Sequence, residues 1–252
     1  MLVVPARFNG PPRSANGGYV ASRVASYVGV TSADETAPHG VESRAVTVVL
    51  RSPVPLDTAL DVTVDGADVT VELDGVRLAE ARPGDLDTDP LEPVSYADAA
   101  AARERFAGRV RHPMPTCFGC GPARGEGDGL RIAPGAVGEC RVATSWLPDE
   151  SLLPDGDESG AIPAEFAWTV LDCTAGWAWD FGAEAALLGT VTGIVDEAPY
   201  AGDKCVAVAG VLGREGRKVR TASTLYDSDG RVLGRAQSVW VVVEPGRFAA
   251  TA

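Results

Sequence analysis

Residues 14–25, SANGGYVASRVA, set two glycines directly in front of an apolar-periodic run of Tyr19, Val20, Val24, Tyr27 and Val28. Glycine costs a helix roughly 1 kcal/mol relative to alanine, so this pair weakens the first turn of the element it begins. Two physical reasons make such a start useful. The missing side chains allow close packing against a neighbour, or they bare the helix N-terminus so that a ligand oxygen reaches backbone N–H groups. The pattern predicts a helix over about 16–29, with Asn16 able to cap it.

A second helix is predicted over about 163–180, from AEFAWTVLDCTAGWAWDF. It is apolar nearly all round, as a helix enclosed by sheet should be, and Asp172 interrupts it. An ionised carboxylate in such surroundings is costly unless it is paired or functional. Each helix is followed by strand-like runs, at 42–56, 60–66, 68–75 and 76–83, then at 187–200, 204–213, 218–230 and 232–243. Asp74-Gly75 and Asp229-Gly230 are hairpin turns between alternating strands.

The halves overlay. Asn16 and Pro163 are 147 positions apart, Pro55 and Pro199 are 144 apart, and Asp74 and Asp229 are 155 apart. Offsets that drift only through loop lengths indicate an internal repeat. Residues 1–83 and 117–247 are the expected repeats. Residues 84–116, with acidic DLDTDPLEPVS, a polar helical run at 97–110 and the breaker HPMP, form the expected linker.

The net charge of −13 argues against general nucleic-acid binding, which needs a basic surface. No run approaches the roughly 20 apolar residues of a membrane span, and MLVVPARF is too short and too weakly basic for a signal peptide, so the expected location is the cytoplasm. Five cysteines in that setting stay reduced. Cys117 and Cys120 form half of a zinc-ribbon pattern, but no second CxxC exists and the histidines are His39 and His112 only, so no metal site is expected.

With these features in view, the chain resembles the double hotdog proteins of the acyl-CoA thioesterase-like superfamily over nearly its whole length. The segments that carry the resemblance are FNGPPRSANGGYVASRVA, CFGCGPARGEGDGLRI, LDCTAGWAW and GRKVRTASTLYDSDGRVLGRAQSVWVVV. It implies an α+β fold of two tandem hotdog repeats, each a long helix wrapped by an antiparallel sheet. In that superfamily CxxCG is a structural loop. One helix start supplies a backbone N–H to the thioester carbonyl, and the other repeat supplies an Asp or Glu, commonly nine residues after a helix-start His. Pro163 plus nine is Asp172, while Asn16 plus nine is Ala25. Asn16-Gly17-Gly18 keeps the bare start, with Asn in place of His, so each half holds what the other lacks. The type-II members place a Gln in the last strand, here Gln237, and a Ser or Thr that orients water, for which Thr174, Thr221 and Ser223 are candidates.

The resemblance therefore implies an acyl-CoA thioesterase with one composite site and no metal or redox cofactor. Asp172 is the expected general base, helped by Gln237, with Gly17 or Gly18 N–H as oxyanion donor and Asn16 as cap. The basic run Arg214, Arg217, Lys218, Arg220 makes Arg217 and Lys218 candidates for the CoA phosphates. Tyr19, Trp168, Trp177 and Trp179 either line the acyl tunnel or belong to the core. The alternative is a non-hydrolytic binder of acyl-CoA or acyl-carrier thioesters on the same fold. A hydratase is disfavoured, since neither histidine sits in a D-x-x-x-x-H pattern. An oligomer of double hotdogs stays open.

Overall fold

The computed structural model describes residues 1–29 and 45–244; His39 and the first residues of the 42–56 run lie outside the described residues. The first helix, α1 (Gly17–Ala25), is followed by β1 (Val46–Leu50), β2 (Asp61–Asp65), β3 (Asp68–Leu73) and β4 (Val76–Pro83). A linker helix, α2 (Tyr96–Ala102), leads to β5 (Gly135–Gly138) and β6 (Arg141–Trp146). Then come the second long helix, α3 (Ala164–Gly176), and β7 (Ala186–Val195), β8 (Cys205–Glu215), β9 (Lys218–Tyr226) and β10 (Val232–Val242).

The ten strands of the described residues form one antiparallel sheet in the order β2-β3-β4-β1-β7-β10-β9-β8-β6-β5. Read outward from the middle, β1-β4-β3-β2 and β7-β10-β9-β8 have the same connectivity. The halves join where β1 pairs β7, with Thr47 opposite Thr192 and Val48 opposite Val191. The Thr47 and Thr192 hydroxyls lie 2.8 Å apart across that seam. On the other face of these strands Val48 and Val191 are buried.

Strand alternation sorts the layers. Cys205, Ala207 and Ala209 of β8 belong to the main core with α1 and α3, whereas Val206 and Val208 pack with Ala99 of α2 in a smaller cluster. The two long helices therefore share one face of the sheet and the linker helix covers part of the other. The helix α2 at Tyr96–Ala102 begins one residue before the 97–110 run and ends well short of it.

Both long helices end earlier than their apolar periodicity suggests. After Ala25 the chain tightens, Tyr27 N–H reaching Val24 O and Val28 N–H reaching Ala25 O, before Gly29 turns at φ 85°. After Gly176 the same i→i−3 pattern recurs at Trp177 and Ala178. The apolar residues beyond each end still face the core, which is why periodicity alone extended the helices. Strands β5 and β6 were not expected from sequence, since GAVG carries little alternation. Strand β6 pairs with β8, and in the first half, among the described residues, only an isolated bridge from Leu2 to Leu60 stands beside β2.

One sheet crossing the seam couples the halves, so denaturant should unfold the chain in one transition with coincident fluorescence and circular dichroism. Two resolved transitions would show halves that fold independently. Phe118, fully buried between the helices, should cost about 3–5 kcal/mol on truncation to Ala.

Candidate active site

The two reasons for the paired glycines divide between them. A Cβ on Gly18 would stand 2.5 Å from Asp172 Cβ and 2.6 Å from Trp168 O, so this glycine marks the closest approach of α1 and α3. Its N–H donates to Asp172 Oδ2 at 3.0 Å. Gly17 instead lines a cavity, and its N–H has no acceptor among the described residues. Asn16 caps the helix as expected, its Oδ1 accepting from Tyr19 N–H at 3.0 Å. Gly18 is thus a packing glycine whose amide holds the acid, and Gly17 is the open helix start.

Asp172 is buried on α3. Its Oδ2 is held by Gly18, and its Oδ1 has no hydrogen-bond partner among the described residues. Burial pushes the carboxyl up from the ordinary 3.8 to about 8, against the stabilising Gly18 N–H and with a smaller upward push from Cys117. At neutral pH the carboxyl is mostly protonated, and it ionises just above.

Asp172 and Gly17 open onto one cavity of about 420 Å³, a size suited to a small apolar ligand. Its walls include Val20, Val54, Leu188, Trp177, Phe181 and Trp240, and Arg217 also lines it. Three buried thiols complete the floor. Cys117 and Cys120 come from the loop before β5, and Cys173 follows Asp172 on α3; their sulfurs lie within 4.8 Å of one another. Hydrogen bonds from Cys120 and Cys173 hold the Cys117 thiol well below its ordinary value.

Arg217 reaches the cavity and has no ion pair among the described residues, while Arg214 is bound to Glu184 at 2.6 Å. Lys218 is exposed and is not part of the cavity wall. Gln237 does not meet Asp172. In β10 the helix-facing positions are Ala236, Ser238 and Trp240, so Gln237 lies on the opposite face and donates to Asp85 O at 3.3 Å. A single step along a strand reverses the face, and a motif overlay does not fix that parity.

Tyr19 is buried by stacking on Phe8, ring centroids 4.1 Å apart, and Trp168 packs on Gly193 of β7. Both are core, whereas Trp177 is cavity wall. Among the candidate hydroxyls, Thr221 accepts from Trp240 Nε1, and Thr174 and Ser223 are buried without hydrogen-bond partners among the described residues and do not line the cavity. The sequence reading missed Cys173 and His112 at the site; the LDCTAGW segment held the signal, since Cys173 adjoins the expected acid.

Gly18→Ala should destabilise by about 1–3 kcal/mol through overpacking despite its better helix propensity. Gly17→Ala, which meets only the Leu188 side chain at 3.0 Å and Asp172 at 3.5 Å, should cost less. Thermal melts of both variants check the ranking. The raised Asp172 value also sets a sign. The folded state holds a proton that the unfolded chain gives up near 4, so this contribution is present at low pH and is lost as pH rises to about 8. The Tm of wild type minus that of Asp172→Asn should therefore fall between about pH 4 and pH 8 and level off above.

No family model and no curated protein matches this sequence. Solved structures do match it. The tesB protein of Mycobacterium avium subsp. paratuberculosis aligns over 93% of this chain and 90% of its own, at 12% identity and TM-score 0.59. A candidate thioesterase from Novosphingobium aromaticivorans covers 96% and 94% at 13% identity and TM-score 0.59. A conserved protein of unknown function with a hot dog fold from Alicyclobacillus acidocaldarius covers 96% and 92% at 15% identity and TM-score 0.58. At such identities the likeness is one of fold, and it spans nearly the whole chain: the protein has an α+β hotdog fold, shared with thioesterase-named structures.

Proposed function

We propose that the two halves are tandem hotdog repeats and that the protein hydrolyses an acyl-CoA thioester to a carboxylic acid and CoA at one composite site. The observation that carries this is the meeting, in one apolar cavity, of a Gly17 N–H from α1 and an Asp172 Oδ1 from α3 that have no hydrogen-bond partner among the described residues. The acyl chain lies among the apolar walls, with its carbonyl oxygen at Gly17 N–H. Such a donor typically contributes about 3 kcal/mol to stabilising the developing oxyanion.

Gly18 orients the carboxylate through Oδ2, leaving Oδ1 to take a proton from water as the water oxygen attacks the carbonyl carbon. The tetrahedral intermediate then collapses, breaking the C–S bond. The CoA thiolate leaves and takes up a proton in solvent. Arg217 at the cavity is the group for the CoA phosphates, and Lys218 is outside it. The mirror position lacks the base, since Ala25 stands where the other half has Asp172; Ala164 there takes the place of Gly17. No helix among the described residues is long and apolar enough to cross a membrane, which is compatible with the cytoplasmic location proposed here.

One observation favours a second reading. An Asp172 that is largely protonated at neutral pH suits a thioester-binding protein that does not hydrolyse.

A panel of acyl-CoAs with free-thiol detection separates the two. Hydrolysis should rise with pH to a plateau above about 8, because the ionised carboxylate is the active form. Asp172→Asn should lower kcat by about 10²–10⁴ while binding persists. Tight binding of a non-hydrolysable analogue with no turnover at any pH would leave the binder. Titration should find one ligand per chain; two would end the composite-site reading. Arg217→Ala should raise KM more than Lys218→Ala, and more so at low salt.

A further inference from the structure

We propose that Cys117, Cys120 and Cys173 bind one Zn²⁺ ion as three thiolates, with the fourth coordination position open to the cavity. Sequence spacing offered only two of these ligands. The fold brings the third from α3, and the proposal stands whether or not the site hydrolyses thioesters.

The sulfur geometry is the first support. The three Sγ atoms lie within 4.8 Å of one another, with Cys117 and Cys173 at 3.9 Å. A tetrahedral zinc with Zn–S of about 2.3 Å separates its sulfurs by about 3.8 Å. The Cys117–Cys173 span is too long for a disulfide and matches an ion between them. The scaffold is rigid: Cys173 is helical, and the loop turns tightly through Cys117 N–H to Met114 O and Gly121 N–H to Cys117 O, each 2.9 Å. Gly119 runs so close to Cys173 Sγ that a side chain there would collide with it.

The second support is what surrounds the sulfurs. Asn16 Nδ2 donates to Cys173 Sγ at 3.4 Å and to Cys117 Sγ at 3.6 Å, and Trp177 Nε1 donates to Cys120 Sγ at 3.4 Å. His112 Nδ1 accepts from Met114 N–H at 3.0 Å, which puts the ring proton on Nε2, 3.3 Å from Cys120 Sγ. His112 is therefore a fourth N–H···S contact and not a ligand. Each sulfur receives at least one N–H, the arrangement that stabilises metal-bound thiolates and fixes their orientation. Three thiolates select a soft or borderline cation such as Zn²⁺ over Mg²⁺ or Ca²⁺. All three cysteines line the cavity, so the position left by the protein faces water or a ligand.

The test uses the full chain, purified reduced and stripped with a chelator, with Co²⁺ as the probe. One equivalent should release protons as the thiols become thiolates and produce a thiolate-to-cobalt charge-transfer band with the visible bands of a tetrahedral ion, and Zn²⁺ should abolish both sets of bands by replacing Co²⁺. Cys173→Ser and Cys117→Ser should each weaken binding at least ~100-fold, since each removes a ligand and not merely a donor to one. Cys140→Ser, at an exposed cysteine outside the cluster, should leave the titration unchanged. No band with the reduced wild-type protein in Co²⁺ excess would overturn the proposal, leaving three packed thiols. So would a band lost in Cys140→Ser, or wild type isolated with Cys117 and Cys173 joined as a disulfide. Because the readout is the spectrum of the wild-type protein, it fails or succeeds separately from thioester hydrolysis.

Discussion

The hydrogen bond from Gly18 N–H to Asp172 Oδ2 is the constraint around which the rest of the molecule is arranged. It exists only because the helices approach so closely that Gly18 can carry no side chain. An N–H to an ionised partner contributes about 1.5–3 kcal/mol net, yet desolvation still outweighs it and leaves the carboxyl proton-binding near neutrality. The same bond divides the acid into a held oxygen and a free one. It also divides the glycines into one that packs and one that opens.

That crossing is asymmetric although the strand order is not. The start of α1 faces the cavity, whereas the start of α3 is closed over by rings. Phe166 there packs with Phe8, Tyr19 and Phe118, at centroid separations of 6.0, 6.0 and 5.8 Å. The aromatic area buried on that side supplies cohesion, while the cavity side gives up packing for access. Two halves of equivalent connectivity thereby differ, one leaving its helix start on the cavity and the other carrying the buried acid.

The loop between α2 and β5 binds this arrangement together. Phe118 N–H reaches Asn9 O at 2.7 Å, and Arg124 bonds to the Arg7 carbonyl at 2.8 Å and to the Asn9 side chain. The segment before α1 is thus fastened to the loop that carries Cys117 and Cys120. Asn16 then links that loop to both helices, capping α1 with its oxygen and reaching Cys117 and Cys173 with its nitrogen. A histidine at this position would not make both contacts in the same way.

Local pattern was enough for the helices and for eight of the ten strands described, because periodicity and turn residues act over short range, whereas the pairing of Asn16-Gly17-Gly18 with Asp172 came from the family resemblance. The repeat offsets also pointed to equivalent halves, since insertions shift spacing without changing which element follows which. Side-chain facing was beyond that reach. Gln237 and Ser238 are neighbours in sequence but lie on opposite faces of β10, and only the register against β7 and β9 decides which meets α3. Tyr19 and Trp168 read as tunnel or core alike until packing set them in the core. Cys173 joined Cys117 and Cys120 only when α3 met the loop, 56 residues apart in the chain. The sequence determined which elements form and which chemical groups they carry. Long-range contact decided which of those groups share one desolvated space, because burial and proximity are properties of the packed chain and not of the residue.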